Sequence, residues 1–153
     1  MKAKLTVVIC THNRSAYLKK ALESLKSQTL SRDEFEVVVV DNGSTDGTRH
    51  VVDEFSDQDN LSYVHEPVLG LSRARNTGIA ASSGEYVAFL DDDAVAQPRW
   101  AAELLAAFQE PEDEPAVVGG KVEPIWEAPR PAWLSDAILV YLGIIDLSPT
   151  PFI

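Results

Sequence analysis

The sequence predicts an α/β fold, a mainly parallel sheet flanked by helices on both faces. Two observations predict it. Short runs rich in Val, Ile, Tyr and Phe alternate with segments of helical periodicity, and that order favours parallel strands joined by helices. One run, FEVVVV at 35–40, is almost wholly β-branched and reads as a strand buried on both faces. In such folds ligands bind at the carboxyl ends of the strands.

The elements follow in chain order. Residues 5–10 (LTVVIC) read as the first strand. Residues 15–28 place Leu18, Ala21, Leu22 and Leu25 on one helical face. After the strand at 35–40, Asp46 is suited to cap a helix over 47–55, with Val51, Val52 and Phe55 as its apolar side. Residues 61–65 alternate as a weaker strand. A helix is expected over 72–82 despite Gly78, ended by Ser83 and Gly84. Residues 85–90 (EYVAFL) form the next strand, and 98–108 a helix with Pro98 in its first turn. An acidic loop at 110–115 and a last short strand at 116–122 complete a core over 1–123. Residues 124–153 start as an irregular stretch containing Pro and Trp. The apolar end at 149–153 leads us to expect a longer polypeptide.

With 153 residues, 45% of them hydrophobic, the chain has the size and core of one domain. A net charge of −11 argues against a nucleic-acid partner. It also means that an anionic diphosphate needs a cation or helix N-termini to bind. The single Cys10 excludes a disulfide framework and suits a reducing compartment, as a small core residue. Lys2 and Lys4 precede too short an apolar stretch for a signal peptide, and the apolar run at 137–145 is too short to cross a bilayer. A cytoplasmic location is expected, with room for peripheral membrane attachment through the last segment.

The chemistry concentrates at strand ends. Asp91, Asp92 and Asp93 close the run at 85–90. Like charges so close repel, so the cluster must face water or hold a cation, and hard divalent ions such as Mg²⁺ or Mn²⁺ prefer these oxygens. Acidic triplets also occur in solvated loops and at helix starts. After the first strand come Thr11, His12, Asn13 and Arg14. Such residues can hydrogen-bond a ligand, and Arg14 can pair with a phosphate. Alternatively, Asn13 or Ser15 caps the first helix, and His12 is a lone histidine beside a turn. Asp41 ends the β-branched run, where a carboxylate can accept hydrogen bonds from a base or ribose. Residues 42–47 read mainly as turn and cap. Arg73, Arg75 and Asn76 start a helix in a segment without GxGxxG or phosphate-loop spacing.

Four segments in order, VVICTHNR, VVVVDNGSTDGT, GLSRARNTGI and VAFLDDDAVAQPRW, resemble those of a family 2 glycosyltransferase with the GT-A, Rossmann-like fold. The resemblance covers about residues 4–122. It implies inverting transfer of a sugar from a nucleotide-diphosphate donor, UDP- or dTDP-sugar favoured, with Mg²⁺ or Mn²⁺. It implies Asp41 for the base, Thr11 and Asn13 lining the nucleotide and Arg75 near the base. Asp91 and Asp93 then form the ends of a DxD motif as metal ligands, Asp93 foremost, and Asp92 lies within reach of the ribose. The acceptor, a glycan, lipid or protein, stays unnamed. The later carboxylate that such enzymes use as base finds no counterpart after residue 123, because Asp136 and Asp146 lie in a different context. An inactive nucleotide-sugar-binding module is the alternative. A nucleotidyltransferase is disfavoured, since THNR lacks the glycines of its loop.

Overall fold

The computed structural model describes residues 3–110 and 115–144. The chain divides into two compact units, Met1–Ala106 and Ala107–Ile153.

The first unit is built on a four-stranded, wholly parallel sheet. β1 (Leu5–Thr11), β2 (Phe35–Asp41), β3 (Leu61–His65) and β4 (Tyr86–Phe89) lie in the order β3-β2-β1-β4. β1 and β2 are buried almost end to end, which is why they carry unbroken apolar runs rather than alternation. β3, on the other side of β2, is only half-buried and alternates.

Four helices belong to this layered pattern: α1 (Ser15–Lys26), α2 (Thr48–Asp53), α3 (Leu71–Ala81) and α4 (Trp100–Phe108). α3 covers the face bearing Val8, Val38 and Val40, with Ala74 buried among them. Gly78 permits the approach: a Cβ there would lie 2.3 Å from Val8 Cγ1. Side chains alternate along a strand, so Val7, Ile9, Val37 and Val39 point to the opposite face. α1 buries Leu18, Ala21, Leu22 and Leu25 and packs against α2, which in turn touches β2.

The chain runs outward from β1 through β2 to β3, then returns across β1 to lay down β4. The order therefore reverses between β1 and β4. In open parallel sheets a crevice opens at such a reversal, beyond the carboxyl ends of the strands.

Residues 115–121 contain no regular strand, and Val122 forms only an isolated bridge, so the expected strand at 116–122 is absent. The physical reason is local. Val117 is exposed, and Gly119 and Gly120 bring no side chain to bury, so the stretch has little apolar surface with which to pack as a strand. Within the second unit, α5 (Asp136–Leu139) runs into a 3-10 turn at Val140–Leu142. Arg130 donates through Nε to the Leu134 carbonyl at 2.9 Å and pairs with Asp136 at 2.8 Å. Asp146 and the end of the run at 137–145 fall outside the described residues, as does most of the acidic loop at 110–115. Among the described residues no helix is long and apolar enough to cross a membrane.

Candidate active site

Three strand ends meet at the reversal point. Thr11 stands opposite Asp41 in the β1–β2 ladder. The Leu90 amide donates to the Val8 carbonyl at 3.1 Å, which carries the chain beyond β4 alongside β1 and delivers Asp91, Asp92 and Asp93 beside Thr11. A cleft of about 430 Å³ opens there, lined by Thr11, Arg14 and Asn42, by all three aspartates and by the loop from Leu69 to Leu71. Clefts of this size hold small-molecule ligands.

The three aspartates differ. Asp92 is 5% exposed, with Oδ2 accepting from Thr11 Oγ1 at 2.8 Å and Oδ1 from Arg14 Nη1 at 2.9 Å. Asp93 Oδ2 accepts from the same Nη1 at 3.0 Å but is half-exposed. Asp91 is the most open, with Arg75 Nη2 3.8 Å from its Oδ1. Asp92 comes first among the causes that raise the Arg14 pKa above its usual value, and the guanidinium also lies 5.2 Å from the Tyr17 ring centre. Arg75 similarly lies over Phe89. Among the described residues no group of three His, Cys, Asp or Glu side chains is arranged to hold a metal. The donor chemistry of Asp91 and Asp93 nevertheless fits a hard divalent cation. Mg²⁺ and Mn²⁺ accept one or two carboxylates when phosphate oxygens and water supply the rest.

Asp41 lies on the same rim but is only 3% exposed. Its Oδ1 accepts from the Ser44 amide at 2.8 Å and its Oδ2 from Tyr63 Oη at 2.7 Å. Burial pushes the carboxyl pKa upward, but the bonds from Ser44 and Tyr63 prevail and hold it below the usual value. Burial, with Asp41 beside it, pushes the Tyr63 phenol up to about 12. Tyr63 went unnoticed in the sequence, although the alternation of β3 puts it directly opposite Val39.

The loops around the cleft are fastened to one another. Asn13, at φ +54, takes the left-handed conformation that Asn tolerates. Its Oδ1 accepts from the Thr45 amide at 2.7 Å, and its own amide donates to Ser44 Oγ at 3.0 Å. Neither Asn13 nor Ser15 caps α1 through its side chain. Asp46 does so from the neighbouring loop, accepting the Ser15 amide at 3.0 Å while its other oxygen accepts from Thr48 at the start of α2. His12 Nδ1 donates to the Asn42 carbonyl at 2.8 Å, because that oxygen can only accept, and Nε2 accepts from Asn13 Nδ2 at 3.2 Å. His12 therefore serves the loops.

Asn42, which the sequence suggested was a turn residue, is a buried hub. Its Nδ2 donates to the carbonyls of Glu66 (3.0 Å) and Val68 (2.8 Å), and its Oδ1 accepts from the Gly70 amide at 2.8 Å. These bonds pin the segment before α3, where Gly70 has φ +148. The only signal for Asn42 in the sequence was its place directly after a strand end. Arg73 points toward Glu66 at 3.7 Å. Cys10 packs with Val8, Val38 and Val40, borders the cleft, and has its thiol pKa raised by burial, as befits an inert core residue.

The cleft lies at the strand reversal of an open parallel sheet, where ligands of α/β proteins bind, and it joins carboxylates to an arginine. The comparisons narrow this. The family model for glycosyl transferase family 2 matches residues 6–142, and the chain belongs to that family. It is 42% identical over 117 residues to validoxylamine A glucosyltransferase of Streptomyces hygroscopicus subsp. jinggangensis, covering 75% of this chain and 28% of that protein. It is 32% identical over 143 residues to a glucosyl-dolichyl phosphate glucuronosyltransferase of Haloferax volcanii, covering 92% and 45%. The chain thus spans less than half the length of these relatives. Among solved structures, S. aureus TarS 1–349 in complex with UDP-GlcNAc superposes with a TM-score of 0.64 at 32% identity, covering 70% of this chain and 31% of that one. The mannosyltransferase PcManGT of Pyrobaculum calidifontis, in complex with GDP-Man and Mn²⁺, has a TM-score of 0.63 at 32% identity, covering 74% and 33%. The sheet and its flanking helices are those of these GT-A neighbours.

Proposed function

We propose that this chain is the donor-binding portion of an inverting, metal-dependent glycosyltransferase that takes a UDP- or dTDP-sugar. The observation that carries the proposal is the convergence of Thr11, Arg14 and Asp91–Asp93, drawn from two sequence-distant segments, on one cleft, with Arg75 of a third segment 3.8 Å from Asp91. The neighbours in complex with UDP-GlcNAc and with GDP-Man and Mn²⁺ support a nucleotide-sugar ligand.

Each residue has a task in this proposal. Arg14 and Arg75 offer the positive charge that a diphosphate needs in a protein of net charge −11. Asp91 and Asp93 hold Mg²⁺ or Mn²⁺, which when bound offsets charge gathering on the departing diphosphate. Asp92 fixes Arg14 and Thr11 with one lone pair of each oxygen, leaving the others for a ribose hydroxyl. Asn13 shapes the nucleotide wall. Asp41 takes the base N–H with a lone pair left over by Ser44 and Tyr63, and its burial means that the turn at 43–45 must open to admit the base.

In transfer, the bond from the sugar C1 to the diphosphate oxygen breaks and a bond from C1 to the acceptor oxygen forms. The hydroxyl proton passes to a base, a role that no described residue of this chain is given. Asp136 is instead paired with Arg130. The proposal is tested by calorimetry with UDP in the presence and absence of Mn²⁺. Millimolar or tighter binding that depends on metal and drops at least tenfold in Asp93→Ala is expected. Binding that is equally tight in the variant rules the site out.

A further inference from the structure

Arg14 touches the same carboxylate that the donor-binding proposal assigns to the metal. Its Nη1 lies 2.9 Å from Asp92 Oδ1 and 3.0 Å from Asp93 Oδ2, so one guanidinium nitrogen bridges two carboxylates of the triplet. Arg75, from α3, faces the third. A divalent cation that uses Asp93 Oδ2 meets a positive group already hydrogen-bonded to that oxygen. Like charges within such a distance repel. Cation and arginine therefore compete for Asp93 Oδ2.

The surroundings allow Arg14 to yield. Its side chain is half-exposed and rests near the Tyr17 ring. Asp92 keeps its bond from Thr11 wherever the guanidinium points. A diphosphate in the cleft offers the arginine fork a bidentate anionic partner, whereas the two carboxylates engage only its Nη1.

We propose that Arg14 is a positioning residue that couples the metal to the donor. It excludes a bare divalent cation from Asp93, and it releases that carboxylate when a nucleoside diphosphate engages its guanidinium. The inference rests on the donor-binding reading of the cleft. Metal and nucleotide affinities then rise together by the same factor, as linkage requires.

The test measures binding rather than turnover. Mn²⁺ alone, UDP alone and Mn²⁺ with UDP present are followed by calorimetry on the wild-type chain, Arg14→Gln and Arg14→Lys, with circular dichroism to establish folding. In the wild type, UDP should tighten Mn²⁺ by about tenfold or more. Arg14→Gln should bind Mn²⁺ alone at least about threefold tighter, with the coupling to UDP reduced to about threefold or less. Arg14→Lys, which keeps the charge but loses the planar fork, should still exclude the bare ion while coupling more weakly. A folded Arg14→Gln that binds Mn²⁺ alone no tighter than the wild type, while UDP still binds, overturns the role of the arginine and leaves donor binding intact. Wild-type protein that binds no UDP under any of these conditions overturns both.

Discussion

At the residue scale, the polar groups around the cleft have more than one partner each, and Asp46 shows what that entails. Led by the hydroxyl of Thr48, with amides of Ser15 and Thr48 adding to it, its neighbours lower its pKa from 3.8 to about 2. A carboxylate depressed on folding stabilises the native state above its unfolded pKa, and that contribution disappears as the pH falls through its folded pKa. The stability difference between wild type and Asp46→Asn should therefore be constant above about pH 4 and shrink as the pH drops from there toward 2. Urea denaturation at several pH values reads this directly. A difference that persists unchanged at pH 2 would mean that Asp46 does not hold the two helix starts. The sequence offered Asp46 as the cap of the helix over 47–55, and its bond from the Thr48 amide fits that role, but its bond from Ser15, 31 residues away, was not legible. Asp41 and the aspartate triplet showed themselves by following apolar runs. The partners of Asp41 and Asp92 did not, because Tyr63 and Thr11 lie 22 and 81 residues away and no local periodicity reports a contact over such spans.

At the scale of elements, periodicity served well. β1, β2, β3 and β4 fall where the apolar runs stand, within a residue at most ends. α2 is shorter than expected, Thr48–Asp53, and the strand expected at 116–122 fails where glycines replace packing side chains. Gly78 is instructive in the opposite sense. By propensity it weakens α3, and Ala would be preferred by about 1 kcal/mol. Contact reverses the preference, since the added methyl would meet Val8 at 2.3 Å and Val40 at 3.2 Å. Gly78→Ala should therefore destabilise the protein by about 1–3 kcal/mol, measured by chemical denaturation. A neutral or stabilising effect would show that α3 can lift from the sheet at little cost. Arg75 and the Asn42-pinned segment before α3 would shift with the helix, so weaker nucleotide binding should accompany the loss.

For the whole molecule, the dominant property is its charge of −11. An anionic ligand approaches against a long-range repulsion that the two arginines counter only nearby. Salt should then act opposite to its usual effect on anion binding. Without divalent metal, UDP association should quicken as ionic strength rises from about 0.01 M to 0.15 M, because the screening length shortens from about 30 Å to 8 Å. Stopped-flow fluorescence measures this, and slower association in salt would show that Arg14 and Arg75 control the approach. Composition alone disclosed the repulsion. The placement of its remedy required the fold.

Thr11 lies in the strand made earliest, yet its partner Asp92 arrives 81 residues later. A ribosome that has released only the first two strands has exposed Asp41 without any cleft to serve. The pocket can close only after the chain has doubled back past its own beginning, so its formation carries the entropic toll of a long loop and should trail the pairing of β1 with β2. Any molecule that recognises this cleft recognises a chain whose sheet is already complete.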